Sequence, residues 1–180
     1  MFNGGCILEG YEDYSFRVYE DLLSRGEPLY CIGTDDNHNW HGENTPYWDS
    51  GIAFTMIKAE KFEYRAITDA MIKGNMYASQ GPRIDELWYE DGKIHVSCSD
   101  AARIVLYTDT RRTQVKYAPE GGSLTEAVLD VPQDVLYVRI TVTDATFIAD
   151  SVQFAGNDGV FTVGGTSTVV IANSFNSGIF

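Results

Sequence analysis

The first part of the chain alternates between two spacings of its apolar residues. In segments 16–23 and 64–73 they recur at helical spacing, and Gly26 and Gly74 follow as residues that suit a helix end. Short continuous apolar runs predict strands at 29–32, 53–57 and 77–79. Strands that alternate with helices favour a parallel α/β layout in this part of the chain.

The pattern changes at Gly81-Pro82, after which no helical spacing recurs. Segments 84–90 and 93–98 alternate apolar and polar residues on either side of Asp91-Gly92, a dipeptide typical of a tight β-hairpin turn. A series of short segments of this kind is typical of an antiparallel β-sandwich. Further alternating segments, bounded by Gly, Pro, Asp or Asn, follow at 103–108, 113–118, 123–130, 135–143 and 148–154.

These patterns predict an α+β fold in three consecutive parts. Residues 1–82 carry the helices, residues 83–154 form the β-sandwich, and residues 155–180 form an apolar tail. The tail is rich in Gly, Ser, Thr, Val and Asn, and Asp158 is its one charged residue. We expect the tail to add strands, to pair with a sheet edge of another chain, or to fold over apolar surface of the first part.

The charge balance and the cysteines limit the partners and the compartment. The sequence has 13 Lys and Arg against 26 Asp and Glu, for a net charge of -13. Such an acidic surface repels phosphate backbones and anionic lipids, so we expect neither a nucleic-acid nor a membrane partner. Cys6, Cys31 and Cys98 form no close pair, which favours a reducing, cytoplasmic location. Cys31 and Cys98 lie in apolar strand patterns and are predicted to be buried.

A dense group of polar residues follows the first predicted strand. It reads Gly-Thr-Asp-Asp-Asn-His-Asn over residues 33–39. Asp36 and His38 form an Asp-x-His pair, which can direct a carboxylate oxygen and an imidazole nitrogen toward one metal ion. Composition alone leaves open a second interpretation, a solvated loop of turn-forming residues with a surface histidine. Further ligands, or hydrogen-bonding partners of the ligands, are expected among Asp35, His41 and Glu43.

The sequence around this pair resembles a known family. Residues 31–38, Cys-Ile-Gly-Thr-Asp-Asp-Asn-His, resemble the closing metal motif of the PHP-type (polymerase and histidinol phosphatase) metal-dependent phosphoesterases. The β-rich segment up to residue 154 resembles the sandwich that follows the barrel in a hydrolase-like branch of the family, which includes carbamate-hydrolase relatives. Four further segments resemble elements of the family's barrel. Residues 1–3 resemble the end of a barrel strand, and residues 19–26 resemble the helix before the motif. Residues 54–59 resemble the closing strand, and residues 70–82 resemble the last helix with the barrel exit.

The resemblance implies that residues 1–82 are the C-terminal part of a (βα) PHP barrel. It also implies that Asp36 and His38 are the last of the family's ligands for a divalent Mn, Zn or Fe ion. The family takes its other ligands from earlier motifs, beginning with His-x-His, and no counterpart of them is found in this sequence. Family members hydrolyse phosphoesters with a cluster of metals. The expected function is therefore that of the C-terminal portion of a metal-dependent phosphoesterase, inactive by itself and without an assigned catalytic residue.

Two other functions stay open. A partner chain that supplies the N-terminal half, or a second copy of this chain, would complete a phosphoester hydrolase in trans, because the open strand edge of a partial barrel favours association. The sandwich would also suit a binding module, although a fold does not define a function. Trp40, Tyr47 and Trp48 are expected either to line a substrate cleft or to pack the loop down. His95 alternates with apolar neighbours and is expected to face solvent.

Overall fold

The computed structural model describes residues 2–11, 16–43, 45–144 and 148–154, and the tail at 155–180, with its predicted strands, lies outside them. The helices in the described residues are α1 (Gly4–Glu9), α2 (Phe16–Ser24) and α3 (Tyr64–Ile72). The strands are β1 (Phe2–Asn3), β2 (Gly33–Thr34), β3 (Phe54–Ile57), β4 (Met76–Ser79), β5 (Ile84–Glu90), β6 (Lys93–Ala101), β7 (Arg103–Thr108), β8 (Gln114–Tyr117), β9 (Leu124–Asp130), β10 (Tyr137–Thr143) and β11 (Ile148–Phe154). None of these helices has the length and apolar character that a membrane crossing requires.

Most strands belong to two antiparallel sheets that share one hydrophobic core. One sheet has six strands in the order β3-β4-β11-β10-β7-β8, and the other has three strands in the order β5-β6-β9. Both sheets contribute to a single cluster of buried side chains, which includes Leu87, Ile94, Ile104, Leu129 and Ile140. This core follows from the alternating sequence pattern, since every second side chain of a strand points to the same face. With few helices and mostly antiparallel sheets, the fold is α+β.

The six-stranded sheet extends across the domain boundary predicted at residue 82. β3 and β4 pair antiparallel with each other, and β4 pairs antiparallel with β11. Tyr77 on β4 is fully buried in the sandwich core, where its hydroxyl oxygen accepts a hydrogen bond from the backbone N–H of Ile84 at 3.0 Å. Burial raises the pKa of Tyr77 to about 12. The last two strands of residues 1–82 are therefore continuous with the sheet formed by the second part.

One pair of strands among the described residues is parallel. β1 and β2 pair through Phe2 with Gly33 and through Asn3 with Thr34. The parallel layout predicted for the whole first part is wrong for β3 and β4, because the chain returns from α3 to run antiparallel to β3. The strand predicted at 29–32 is displaced to Gly33–Thr34, and Cys31 is the one buried residue of the predicted run.

Gly33 allows the two-stranded sheet to lie close to β3. A Cβ atom at this position would lie 2.7 Å from the backbone carbonyl oxygen of Phe54. The backbone N–H of Gly33 donates to Oγ1 of Thr55 at 3.1 Å, and that hydroxyl donates to the carbonyl oxygen of Gly33 at 2.8 Å. These contacts anchor β2 to the edge of the six-stranded sheet and thereby position the loop that follows β2.

Helix α2 covers the outer side of the six-stranded sheet. Its buried side chains, Tyr19 and Leu23, belong to a second hydrophobic cluster that also contains Ala78 of β4 and Tyr137 of β10. The helix was predicted from the spacing of its apolar residues, and Gly26 follows it with a φ of 80°, a conformation that glycine adopts without strain. The molecule thus has a helix packed on one face of a sheet whose other face forms the sandwich core.

Candidate functional site

The candidate site lies between α1 and the loop at 35–53, which leaves the carboxyl end of β2. Because β1 and β2 are parallel, α1 and this loop begin at the same edge of the two-stranded sheet. Asn3 caps α1, since its Oδ1 accepts a hydrogen bond from the backbone N–H of Cys6 at 2.9 Å, and Gly10 ends the helix with a φ of 75°. Two glycines at its start and its short length explain why the sequence pattern does not predict this helix.

Asp35 joins the two ends of the loop. Its carboxylate accepts hydrogen bonds from the backbone N–H groups of Gly51, Ile52 and Ala53 at 2.6, 2.7 and 2.8 Å. Its backbone carbonyl accepts a hydrogen bond from the N–H of Gly5 at 2.6 Å, which ties the loop to α1. The Asp35 side chain therefore faces the returning end of the loop.

Asp36 points its carboxylate toward the end of β1. Its Oδ2 accepts a hydrogen bond from Nδ2 of Asn3 at 3.1 Å. The residue has a φ of 53°, which turns the chain sharply after Asp35, and aspartate tolerates this left-handed conformation better than most residues. The same asparagine thus caps α1 with one side-chain atom and holds the Asp36 carboxylate with the other.

Asp49 holds the backbone on either side of the His38 side chain. Its carboxylate accepts the backbone N–H of His38 at 2.7 Å and that of Asn39 at 3.1 Å. The hydrogen bond from His38 lowers the pKa of the Asp49 carboxyl below its usual range, against a smaller opposing effect of desolvation. Asp49 therefore acts as an anionic cap on the turn that presents His38.

Side-chain amides add a second connection between the two ends of the loop. Nδ2 of Asn37 donates to Oγ of Ser50 at 2.9 Å, and that hydroxyl donates to Oδ1 of Asn39 at 3.0 Å. Asn39 has a φ of 52°, a value that asparagine tolerates. The polar residues of the motif thus serve largely to hold the loop in one shape, as the turn-forming interpretation of the sequence expected.

A cavity of about 140 Å³ opens between α1 and this loop. Asp36, His38 and His41 line it, whereas Asp35 and Glu43 are not among its lining residues. Cys6, Glu9 and Asp49 also line it, and the sequence analysis did not select any of them. Cys6 and Glu9 lie three residues apart and so face the same side of α1, a signal that becomes readable only once α1 is recognised as a helix.

Two exposed aromatic residues border the cavity. The ring of Trp40 lies 4.9 Å from the imidazole of His38, and the ring of Tyr47 lies 5.1 Å from that of His41. Trp40 is 80% exposed and Tyr47 is 61% exposed, yet both line the cavity. Of the two roles considered from the sequence, these two residues therefore line a cleft, while Trp48 is half-buried and does not line it.

Among the described residues, the donor atoms at the cavity are fewer than a complete metal centre requires. Among the residues that the structure describes, no group of three or more His, Cys, Asp or Glu side chains is arranged to hold a metal ion. Structural and catalytic metal sites typically use three or four protein ligands. The side chains of Asp36 and His38 contribute two donors to one cavity, and in this arrangement the described residues do not fit a complete catalytic metal centre.

Other residues selected from the sequence have structural surroundings. His95 lies half-buried on β6, where its ring stacks on that of Trp88 at 4.7 Å with an interplanar angle of 10°. Cys31 and Cys98 are buried as predicted, and burial raises the pKa of the Cys98 thiol to about 12. The hydroxyl of buried Ser79 donates to the carbonyl oxygen of Pro82 at 2.7 Å, which stabilises the turn between β4 and β5.

No protein-family model, no curated protein and no solved structure matches this chain. Its fold and the geometry of the cavity are therefore the observations on which a functional proposal rests.

Proposed function

We propose that this chain is a relative of the PHP-type phosphoesterases in which Asp36 and His38 bind a divalent cation weakly, without hydrolysis by the chain alone. One observation carries the proposal. Both side chains line a single cavity, in a loop at the carboxyl end of a strand that pairs in parallel with its neighbour. The carboxyl ends of parallel strands are where α/β proteins commonly build their sites.

The elements of residues 2–82 support the finer proposal that this part corresponds to the end of a PHP barrel. They follow the order strand, two helices, strand, loop, strand, helix and strand, and the Asp-x-His pair begins two residues after β2. The short helix α1 and the antiparallel pairing of β3 with β4 depart from a regular barrel, in which neighbouring strands are parallel. The proposal therefore concerns the closing elements of such a barrel in a rearranged form.

The two proposed ligands are held in place before any ion binds. Asn3 orients the Asp36 carboxylate, and Asp49 holds the backbone of His38. Such support reduces the ordering cost of binding and is typical of groups that surround metal ligands. Carboxylate oxygen and imidazole nitrogen together suit Mn²⁺, Zn²⁺ or Fe²⁺, although two protein ligands give a weak site.

The lining of the cavity supports binding without turnover. In this family a bound metal cluster supplies hydroxide and balances negative charge on the phosphoryl group. Among the described residues that line the cavity none is Lys or Arg, whereas Glu9, Asp36 and Asp49 are acidic. Carboxylates without a neighbouring cation repel a phosphate group, so the cavity by itself is poorly suited to hold a phosphoester.

The metal site can be tested by calorimetric titration of the purified chain with Mn²⁺. We expect saturable binding that becomes at least about tenfold weaker in the double variant Asp36→Asn, His38→Ala, because both protein ligands are lost. Asparagine is chosen at position 36 because it tolerates the same φ. A His95→Ala variant is the matched control, since His95 lies on the sandwich, and it should bind Mn²⁺ like the original protein.

Turnover is tested separately with bis(p-nitrophenyl) phosphate and p-nitrophenyl phosphate in the presence of Mn²⁺ or Zn²⁺. The proposal expects no metal-dependent release of p-nitrophenol above that of the double variant. Release well above the variant would show that the chain is a working hydrolase, while unchanged Mn²⁺ affinity in the variant would remove Asp36 and His38 as ligands.

A hydrolase completed in trans is the second candidate function. The observation that favours it is that β1, among the described residues, pairs with β2 on one side alone. An open strand edge can accept a strand from a second copy or from a partner that supplies the missing ligands. Size-exclusion chromatography with light scattering discriminates, because a strict monomer that binds no Mn²⁺ would exclude completion by a second copy.

We also propose a reducing, cytoplasmic environment. In the part of the chain that the structure describes, Cys6, Cys31 and Cys98 form no disulfide. Free thiols persist where glutathione and thioredoxin keep them reduced. Localisation of a fluorescent fusion to an extracytoplasmic compartment would contradict this proposal.

A further inference from the structure

The cavity beside Asp36 and His38 has a wall that metal binding does not explain. Two aromatic residues, Trp40 and Tyr47, line the same cavity as the acidic residues Glu9, Asp36 and Asp49. No Lys or Arg lines the cavity among the described residues. A metal ion would use the carboxylates and the imidazoles, and it would leave both aromatic rings without a role.

The exposure of these rings is costly in water. Trp40 is 80% exposed and Tyr47 is 61% exposed, although each is a large apolar side chain. They contact the rings of His38 and His41 at interplanar angles of 49° and 42°, and these contacts leave most of each side chain exposed. Exposed aromatic surface at the rim of a cavity is typical of a place where a ligand binds.

The loop that carries the rings is anchored at both ends. Asp35 binds the backbone of residues 51–53, and Asp49 binds the backbone of His38 and Asn39. The rings therefore project from a loop whose ends are fixed, and a ligand would meet a wall that is already formed. Such preorganisation lowers the entropic cost of binding.

From these observations we infer that the cavity binds a small organic cation, with an alkylated ammonium group placed against Trp40 and Tyr47 and beside the three carboxylates. Aromatic faces attract a cation through the ring quadrupole, and quaternary ammonium groups are recognised in this way. A cation of this kind has no N–H to satisfy and little hydration to lose, so it suits a wall made of rings and surrounding negative charge. The volume of about 140 Å³ limits the ligand to a small head group.

The inference goes beyond the proposed metal site and does not depend on it. Trp40 and Tyr47 offer no ligand atom suited to Mn²⁺ in that proposal, while Asp36 and the other carboxylates attract either kind of cation. Choline binding measured with EDTA present reports on the organic cation alone. If choline does not bind while Mn²⁺ does, this inference is rejected and the proposed function stands. If choline binds while Mn²⁺ does not, the proposed function is rejected and this inference stands.

The probe is choline, titrated calorimetrically into the intact chain, with 3,3-dimethyl-1-butanol as its uncharged analogue of nearly the same shape. We expect saturable binding of choline and at least about tenfold weaker binding of the alcohol, because the charge carries the interaction. Trp40→Ala and Tyr47→Ala should each weaken choline binding by about three- to thirtyfold. Trp40→Phe should restore part of the loss, since it keeps a ring.

Tyr117→Ala is the matched control for Tyr47→Ala. Tyr117 has an exposure of 68%, similar to that of Tyr47, but it lies on β8 and does not line the cavity. Its loss should therefore leave choline affinity unchanged. Unfolding transitions of all variants, followed by circular dichroism, separate a binding effect from a loss of fold. Equal binding of choline and the alcohol, an unaltered affinity in Trp40→Ala, or the absence of saturable binding would each overturn the inference.

Discussion

The guanidinium of Arg139 donates a hydrogen bond from Nε to Oε1 of Glu20 at 2.9 Å, across 119 positions of the sequence. Arg139 is fully buried on β10, where its guanidinium carbon lies 4.6 Å from the ring centre of Phe16 and 4.2 Å from that of Tyr107. The other carboxylate oxygen of Glu20 accepts the hydroxyl of Tyr137 at 2.9 Å. This ion pair fastens α2 to the six-stranded sheet and so connects the helical part of the molecule to the sandwich.

Removal of Glu20 should destabilise the protein strongly. In Glu20→Ala the buried guanidinium keeps its charge but loses its carboxylate, and we expect the free energy of unfolding to fall by about 3 kcal/mol or more. Arg139→Met should cost less, because it removes the buried charge and leaves the Glu20 carboxylate, which is partly exposed to water. Urea denaturation measures both. Lys61→Ala is the control, since its exposed ion pair with Glu63 should contribute less than about 1 kcal/mol; equal losses in Glu20→Ala and Lys61→Ala would contradict the prediction.

Replacement of Asp35 should disturb the loop at 35–53 more than replacement of Asp36. Asp35→Ala leaves three backbone N–H groups without their acceptor, and we expect a loss of roughly 2 kcal/mol together with faster hydrogen exchange at Gly51, Ile52 and Ala53. Asp36→Asn is the control, because Asp36 accepts one exposed side-chain hydrogen bond and asparagine tolerates its φ. Exchange rates at those three amides that stay unchanged in Asp35→Ala would refute the assigned role.

Gly33 should tolerate no side chain. In Gly33→Ala the added Cβ would lie 2.7 Å from the carbonyl oxygen of Phe54, so β2 must move away from β3. We expect a loss of about 1–3 kcal/mol in the free energy of unfolding, measured by urea denaturation. Gly42→Ala is the control, since a Cβ there would meet nothing within 4 Å. A Gly33→Ala protein as stable as Gly42→Ala would show that β2 and β3 are not in close contact.

The three cysteines should differ in reactivity. Cys31 and Cys98 are buried, and burial raises the pKa of the Cys98 thiol to about 12, whereas Cys6 is partly exposed. At pH 8 a thiol reagent such as 5,5′-dithiobis(2-nitrobenzoic acid) should modify one thiol quickly in the folded protein and all of them in denaturant. Cys6→Ser should abolish the fast reaction. Two fast thiols in the folded protein would place a second cysteine at the surface.

The raised pKa of Cys98 also predicts how stability depends on pH. In the unfolded chain the Cys98 thiol has its ordinary pKa of 9.0, whereas in the folded protein its pKa is raised to about 12. The unfolded state therefore binds fewer protons above pH 9, and the free energy of unfolding should fall as pH rises from about 9 toward 12. Urea titrations at several pH values measure this slope. Cys98→Ala should show a shallower slope, and an identical slope in the two proteins would contradict the assignment.

The β-sandwich was predictable because its signals are local. Asp91 and Gly92 both adopt positive φ, as the tight turn requires, and β5 and β7 have the bounds predicted from their alternating pattern. Alternation decides which face of a strand is buried, and turn residues decide where a strand ends, so neither depends on distant contacts. Which strands pair with each other, however, does depend on contacts between distant parts of the chain. β3 and β4 lie in the first part of the sequence, yet they complete the sheet of the second part.

In the candidate site, too, local features were predictable from the sequence and contacts between distant residues were not. The sequence alone determined that Asp36 and His38 lie in a polar loop directly after a short strand, because two residues so close in the chain must share that loop. It did not determine that Asp49 returns to bind the backbone of His38, or that Glu9, Trp40 and Tyr47 face the same cavity. Those juxtapositions were decided by tertiary structure. The parallel pairing of β1 with β2 brings α1 beside the loop, and the Asp35 carboxylate draws the far end of the loop back to its start. Contacts between residues distant in the sequence depend on packing that no local pattern encodes.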